Sequence, residues 1–216
     1  MFKSDDIKPI FKILVVLTLV QIVRILIVYI YHSIFGFTVI SNQLINSALY
    51  IIIGLVLIKI FKADKYSLAL IIRQRKRGYI IAGAVLGALV IFNPAILFVG
   101  GTDEVVSLFY SVLIIPIFEE LIFRGYTWDY LNKKFNNEIK TYIFVTILFA
   151  LWHLGYVDSI VYRLSIFNNS GSLAYIMLNK VIIGLIFGVA TGFARFKLKN
   201  TYASFLVHST MNMFGK

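Results

Sequence analysis

The stretch SLFYSVLIIPIFEELIFR, residues 107–124, decides the fold. Its first twelve residues carry no charge, and then Glu119 and Glu120 stand side by side with Arg124 four residues further on. An apolar run of this kind suits a helix crossing a hydrocarbon core of about 30 Å. A charge inside such a run costs about 3 kcal/mol on insertion scales unless it is paired or faces a wet cavity. Consecutive helical residues diverge by about 100°, whereas residues four apart share a face. The spacing therefore predicts a Glu120–Arg124 pair that lowers the cost of burial, and it leaves Glu119 directed elsewhere and available for chemistry. Pro116 lacks the amide donor, frees a carbonyl in the preceding turn and bends the helix.

The rest of the chain reads the same way. Apolar runs cover residues 11–31, 43–61, 79–100, 107–123, 141–156, 173–193 and 202–214, the fifth and seventh being short. Seven spans are the expectation: an all-α, polytopic membrane protein with a polar cavity within the membrane, forming one membrane domain over 1–216. Of the 216 residues 60% are hydrophobic and 14% charged, against about a quarter charged in a typical globular protein, so a water-soluble domain is excluded. Cysteine is absent, which excludes disulfides, thiolate metal sites and a thiol nucleophile. The net charge of +11 reflects topology and not nucleic-acid binding. Basic residues gather before the first run (Lys3, Lys8, Lys12) and after the second (Lys62 to Arg77), the fourth (Arg124 to Lys140) and the sixth (Arg195 to Lys199). The opposite loops carry Asp103, Glu104 and Asp158, with Arg163 as the exception. This alternation places the N-terminus in the cytoplasm and makes the first run a retained span. The segment Lys62–Arg77, mixing Leu68, Leu70, Ile71 and Ile72 with six cations, reads as a helix lying along the inner surface.

Polar residues at membrane depth each need a reason. Arg24 and Lys180 can snorkel toward an interface, and His32 lies beside Tyr31 at the outer end of its span. Asn93-Pro94 kinks the third span. His153, in the fifth run, and His208, in the seventh with Asn212 four residues later, have no such explanation. A rise of about 1.5 Å per residue from the nearest cytoplasmic cation puts Glu119 roughly 8 Å, His208 roughly 14 Å and His153 roughly 20 Å into the membrane. The three can meet in its inner half, and with Asn212 they make a hydrolytic centre.

Three motifs in this order on separate spans carry a family resemblance: Glu-Glu-x-x-x-Arg at Glu119, Glu120 and Arg124, Phe-x-x-x-His at Phe149 and His153, and His-x-x-x-Asn at His208 and Asn212. The chain resembles the CAAX-protease and bacteriocin-processing (CPBP, or Abi) intramembrane peptidases from about residue 111 to residue 212. The resemblance implies a helical membrane fold with a wet cavity open to the cytoplasmic side, a catalytic core over about 107–214, and endopeptidase activity. It implies that Glu119 and His153 activate the attacking water and that His208 and Asn212 stabilise the oxyanion, with Glu120 and Arg124 in support. A less regular family motif falls on Asn179, Gly184 and Gly188. The substrate class is a peptide or lipidated peptide reached through membrane lipid, without nucleic acid, in the cell membrane of a bacterium. Water activation without a metal is the favoured chemistry; a zinc ion held by Glu119, His153 and His208 is the alternative. Two other functions use the same residues: a non-enzymatic bacteriocin-immunity or scaffold protein, and a small proton-coupled transporter with a Glu/His relay.

Overall fold

A computed structural model describes residues 7–63, 68–70, 76–93, 101–166 and 172–214. The described residues form helices and short connections, with no strand among them. In order these are α1 (Ile7–Phe35), α2 (Val39–Ala63), α3 (Lys76–Ile91), α4 (Thr102–Phe135), α5 (Glu138–Trp152), α6 (Val157–Ile166), α7 (Leu173–Leu198) and α8 (Thr201–Phe214). A single 3-10 turn, His153–Tyr156, joins α5 to α6, so Glu138–Ser165 forms one helical run. Five stretches are long and apolar enough to span a membrane: Ile7–Phe35, Val39–Ile60, Thr102–Phe135, Glu138–Ser165 and Leu173–Leu198. α3 and α8, at 16 and 14 residues, are shorter than these five stretches.

Polarity runs opposite to that of a water-soluble fold. In α1 the buried residues are Pro9, Ile13, Leu17, Gln21, Arg24, Val28 and His32, a stripe stepping by four or three residues. Ile22, Val23, Leu26 and Ile27 face outward instead. The exposed side of α7 is likewise apolar (Ile182, Ile183, Ile186, Val189), while Thr191 and Ser204 are buried. With apolar side chains toward lipid, the hydrocarbon core satisfies the surface and the interior is free to hold polar groups.

Aromatic packing holds the centre. Tyr50 of α2 stacks on Phe118 of α4 at 4.4 Å, and Phe123 of α4 meets Phe149 and Trp152 of α5 edge-on at 5.1 and 5.7 Å. α5 and α7 pack against each other through Gly184, Gly188 and Gly192, whose missing side chains admit His153, Thr146 and Tyr142. Leu86 and Val90 of α3 join Leu108 and Val112 of α4 in a second cluster, with Leu206 and Met213 of α8 against it.

α4 departs from ordinary helix twice. Tyr110–Ile114 and Leu121–Thr127 have widened, π-helical turns, and the ordinary turn between them, Ile115–Glu120, carries both carboxylates. In the first, the Ile115 amide bonds the Tyr110 carbonyl five residues back. Continuing that register, Pro116 would take the Ser111 carbonyl but has no amide hydrogen. Asn212 of α8 donates its Nδ2 to that carbonyl at 2.7 Å. Arg195 of α7 donates its Nε to the Arg124 carbonyl in the second widened turn, at 3.0 Å.

Several sequence expectations change here. Arg24 does not snorkel: it is fully buried and paired with Asp158 at 2.7 Å, because a bidentate carboxylate compensates its charge in place. Asp158 accordingly lies in the first turn of α6 and not in an outer loop. His32, in the last turn of α1, is buried between the Gly36 carbonyl at 3.0 Å and Asn42 at 3.3 Å. Most of the expected surface helix over 62–77 lies outside the described residues. Within it Leu68–Leu70 are not helical. There the Leu68 carbonyl accepts from Thr201 Oγ1 at 2.7 Å and the Leu68 side chain packs on Gly125. The Asn93-Pro94 kink also falls outside them, since residues 94–100 are not described.

Candidate active site

The middle of α4, the end of α5 and the middle of α8 bring Glu119, Glu120, Arg124, Phe149 and His208 together, while Asn212, near the end of α8, bonds the Ser111 carbonyl. Glu119 and Glu120 are each about 1% exposed, and Arg124 is fully buried. Arg124 donates Nη1 to Glu120 Oε1 at 3.2 Å and Nη2 to the Gly188 carbonyl at 3.2 Å, and its guanidinium lies 4.2 Å from the Phe149 ring centroid. The glycine-rich face of α7 is thus a backbone partner for this cation.

His208 joins the two carboxylates. Its Nδ1 is 2.8 Å from Glu120 Oε1 and its Nε2 is 3.8 Å from Glu119 Oε2. The 100° divergence of adjacent residues led to the expectation that Glu119 and Glu120 serve separate targets. One imidazole, with ring nitrogens on opposite sides, reaches both. Phe149 and Phe187 hold that imidazole edge-on, at centroid distances of 5.8 and 5.4 Å.

Glu119 has two further partners. Trp152 Nε1 donates to Oε1 at 3.0 Å, and the Tyr156 hydroxyl donates to the same oxygen at 2.5 Å. Oε1 is therefore tied down, while Oε2 faces His208 at a distance too long for a direct hydrogen bond. Neither donor was singled out from the sequence, where Trp and Tyr in a membrane protein read as interfacial anchors. The available signal was their i, i+4 spacing on either side of His153.

His153 starts the 3-10 turn and is half-buried. Its Nδ1 is 2.9 Å from the Phe149 carbonyl, which can only accept, so Nδ1 carries the hydrogen and Nε2 of the neutral ring has the free lone pair. The ring lies against Gly184.

Comparison with known families matches the model described as "Type II CAAX prenyl endopeptidase Rce1-like" over residues 101–214. The chain belongs to this family. All three motifs lie within the match, while α1, α2 and α3 lie before it. The Rce1-like family is one of proteases, and membership points to CAAX-type endopeptidase activity on peptide substrates in the membrane. Comparisons with curated proteins and with solved structures return no match.

In this Rce1-like chain the residues of the less regular motif divide. Gly184 and Gly188 touch the site through His153 and Arg124, whereas Asn179 is half-buried and makes none of the bonds described above. Among the described residues no three His, Asp or Glu side chains are already arranged as a ligand set for a metal ion. With Glu120 on His208 Nδ1 and two donors on Glu119 Oε1, the geometry is that of a hydrogen-bonded acid–base cluster.

Proposed function

We propose that the chain is an intramembrane endopeptidase in which Glu119 and His153 deprotonate the attacking water, and His208 and Asn212 bind the oxyanion. The observation that carries this reading is the unequal treatment of the two oxygens of Glu119. Oε1 is held by Trp152 and Tyr156, and Oε2 is left toward His208. A carboxylate fixed through one oxygen presents the other in a constant place, as a general base requires.

The reaction then runs as follows. Water gives a proton to Glu119 Oε2 or to the free Nε2 of His153, and its oxygen attacks the scissile carbonyl carbon. The carbonyl oxygen becomes an oxyanion, which accepts from Nε2–H of His208 and from the second Nδ2 hydrogen of Asn212, the first being on Ser111. The C–N bond breaks as the held proton passes to the departing amine. Glu120 orients His208 through Nδ1, and Arg124 balances the second carboxylate.

The substrate in this reading is a peptide or lipidated peptide, cleaved toward the cytoplasmic side. Residues 1–216 act as one domain in a bacterial cell membrane, with the N-terminus inside and a core at about 107–214. A second reading, an immunity or scaffold protein, draws support from Asn212, whose bond to the Ser111 carbonyl also serves helix packing. The test is cleavage of a tagged peptide by purified protein in detergent, with a pull-down of the same peptide. Glu119→Gln keeps the shape and an acceptor for Trp152 and Tyr156 but is no base, so it accumulates normally, binds peptide and does not cleave. Asn212→Ala loses about a hundredfold in rate. Parental cleavage by both variants refutes the enzyme reading.

A further inference from the structure

We infer that Arg24, on a helix outside the family-matched residues, is a positioning residue for the active site: its buried guanidinium grips the His153–Tyr156 turn and so fixes the Trp152 and Tyr156 donors on Glu119. The inference rests on the hydrolytic reading above and adds to it a part supplied by α1.

All five N–H donors of Arg24 are used. Nε donates to Gln21 Oε1 at 2.8 Å. Nη1 donates to Asn46 Oδ1 at 3.0 Å and Asp158 Oδ2 at 3.2 Å, and Nη2 to the Gly155 carbonyl at 2.6 Å and Asp158 Oδ1 at 2.7 Å. Gln21, itself buried, passes the grip on by donating Nε2 to the Trp152 carbonyl at 3.3 Å. The backbone of residues 152 and 155 and the side chain of residue 158 are therefore all held from one face of α1. The residues between and beside these fixed points are those that touch Glu119 or flank it: Trp152, His153 and Tyr156.

A 3-10 turn has poorer internal hydrogen bonds than an α-helix and fixes its side chains less firmly. An external clamp makes up the difference. Apolar packing would suffice to dock α1 on α5, so a buried arginine with a backbone carbonyl among its acceptors is an expensive choice unless position matters. Gly155 shows how close the approach is. A Cβ there would lie 2.3 Å from Gln21 Cδ, so any side chain at 155 displaces the Gln21 amide that bonds the Trp152 carbonyl.

The test uses full-length protein carrying Trp128→Phe, which leaves Trp152 as the sole tryptophan, because the chain has two. Arg24→Lys keeps the charge and loses the fork. The expected result is a red-shifted, more readily quenched Trp152 emission in folded protein, with kcat lowered about a hundredfold and KM changed less than about twofold. Gln21→Met, which keeps the volume and removes the bond to Trp152, shifts both readouts in the same direction, and it decides the matter if Arg24→Lys does not accumulate. A merely structural Arg24 lowers protein level or melting temperature while emission and kcat of the folded fraction stay parental, and that result overturns the inference. If the unaltered protein cleaves no peptide, the hydrolytic reading falls on its own, and Trp152 emission still decides whether α1 positions the turn.

Discussion

Replacing Glu120 by alanine removes the only carboxylate bonded to Arg124 among the described contacts, and the hydrogen-bond partner of His208 Nδ1. Arg124 then keeps the Gly188 carbonyl and the Phe149 ring, both weaker partners for a fully buried cation. Breaking a buried ion pair from one side typically costs about 3–5 kcal/mol, because an uncompensated charge stays behind. The carbonyl and the ring bring the expected loss to the lower half of that range, about 3 kcal/mol. Glu119→Ala costs less. Its two donors are neutral, and Trp152 Nε1 also reaches the Tyr156 hydroxyl at 3.2 Å, so the loss is about 1–2 kcal/mol. The double variant Glu120→Gln/Arg124→Met removes both charges and recovers most of the Glu120→Ala loss, since apolar replacement of a buried pair is often neutral or better. Membrane levels and detergent unfolding of the set measure these differences, and the single variants Glu120→Gln and Arg124→Met beside the double variant give the coupling energy. Equal destabilisation by Glu119→Ala and Glu120→Ala, or a double variant no better than Glu120→Ala, refutes the division between a supporting and a reacting carboxylate.

Gly184→Ala builds a Cβ 2.6 Å from His153 Nδ1, so peptide cleavage should fall by at least about tenfold while the protein still accumulates; Gly188→Ala, whose Cβ meets Thr146 at 3.2 Å, should affect folding more than the reaction. Tyr156→Phe leaves Glu119 with one donor on Oε1 and should lower kcat about tenfold with little change in KM, matching the loss of one charge-assisted hydrogen bond in a steady-state assay. Reporter fusions at Arg75 and at Lys134 should lie in the cytoplasm; an external reporter at either position would overturn the orientation.

The sequence made the cross-membrane design and the motif residues legible for one physical reason: polar groups in a hydrocarbon environment stand out wherever they occur. Glu119, Glu120, Arg124, His153, His208 and Asn212 all announce themselves that way. Partnerships across the fold were not legible. Arg24 and Asp158 are 134 residues apart and share no helical period, so Arg24 looked like a snorkelling residue and Asp158 like part of an outer loop. Trp152 and Tyr156 suit lipid as readily as a carboxylate, so their role depends on where the turn after α5 points them. The carbonyl freed by Pro116 was readable from its missing amide, but not that Asn212 would supply the donor.

The two widened turns of α4 have a consequence for its azimuth. Each accommodates about one residue beyond an ordinary turn, equivalent to a phase shift of about 100° in the helix that continues past it. Residues 115–120 therefore hang between two phase shifts, like a short shaft between two couplings, and their direction is set separately from the faces by which the ends of α4 pack. Deleting one residue from 121–127 and letting the turn relax to ordinary pitch would swing the carboxylates away from α8 while leaving the hydropathy profile almost unchanged. Among related chains, a one-residue gap in this segment would therefore separate members that keep the carboxylate–imidazole cluster from members that have lost it.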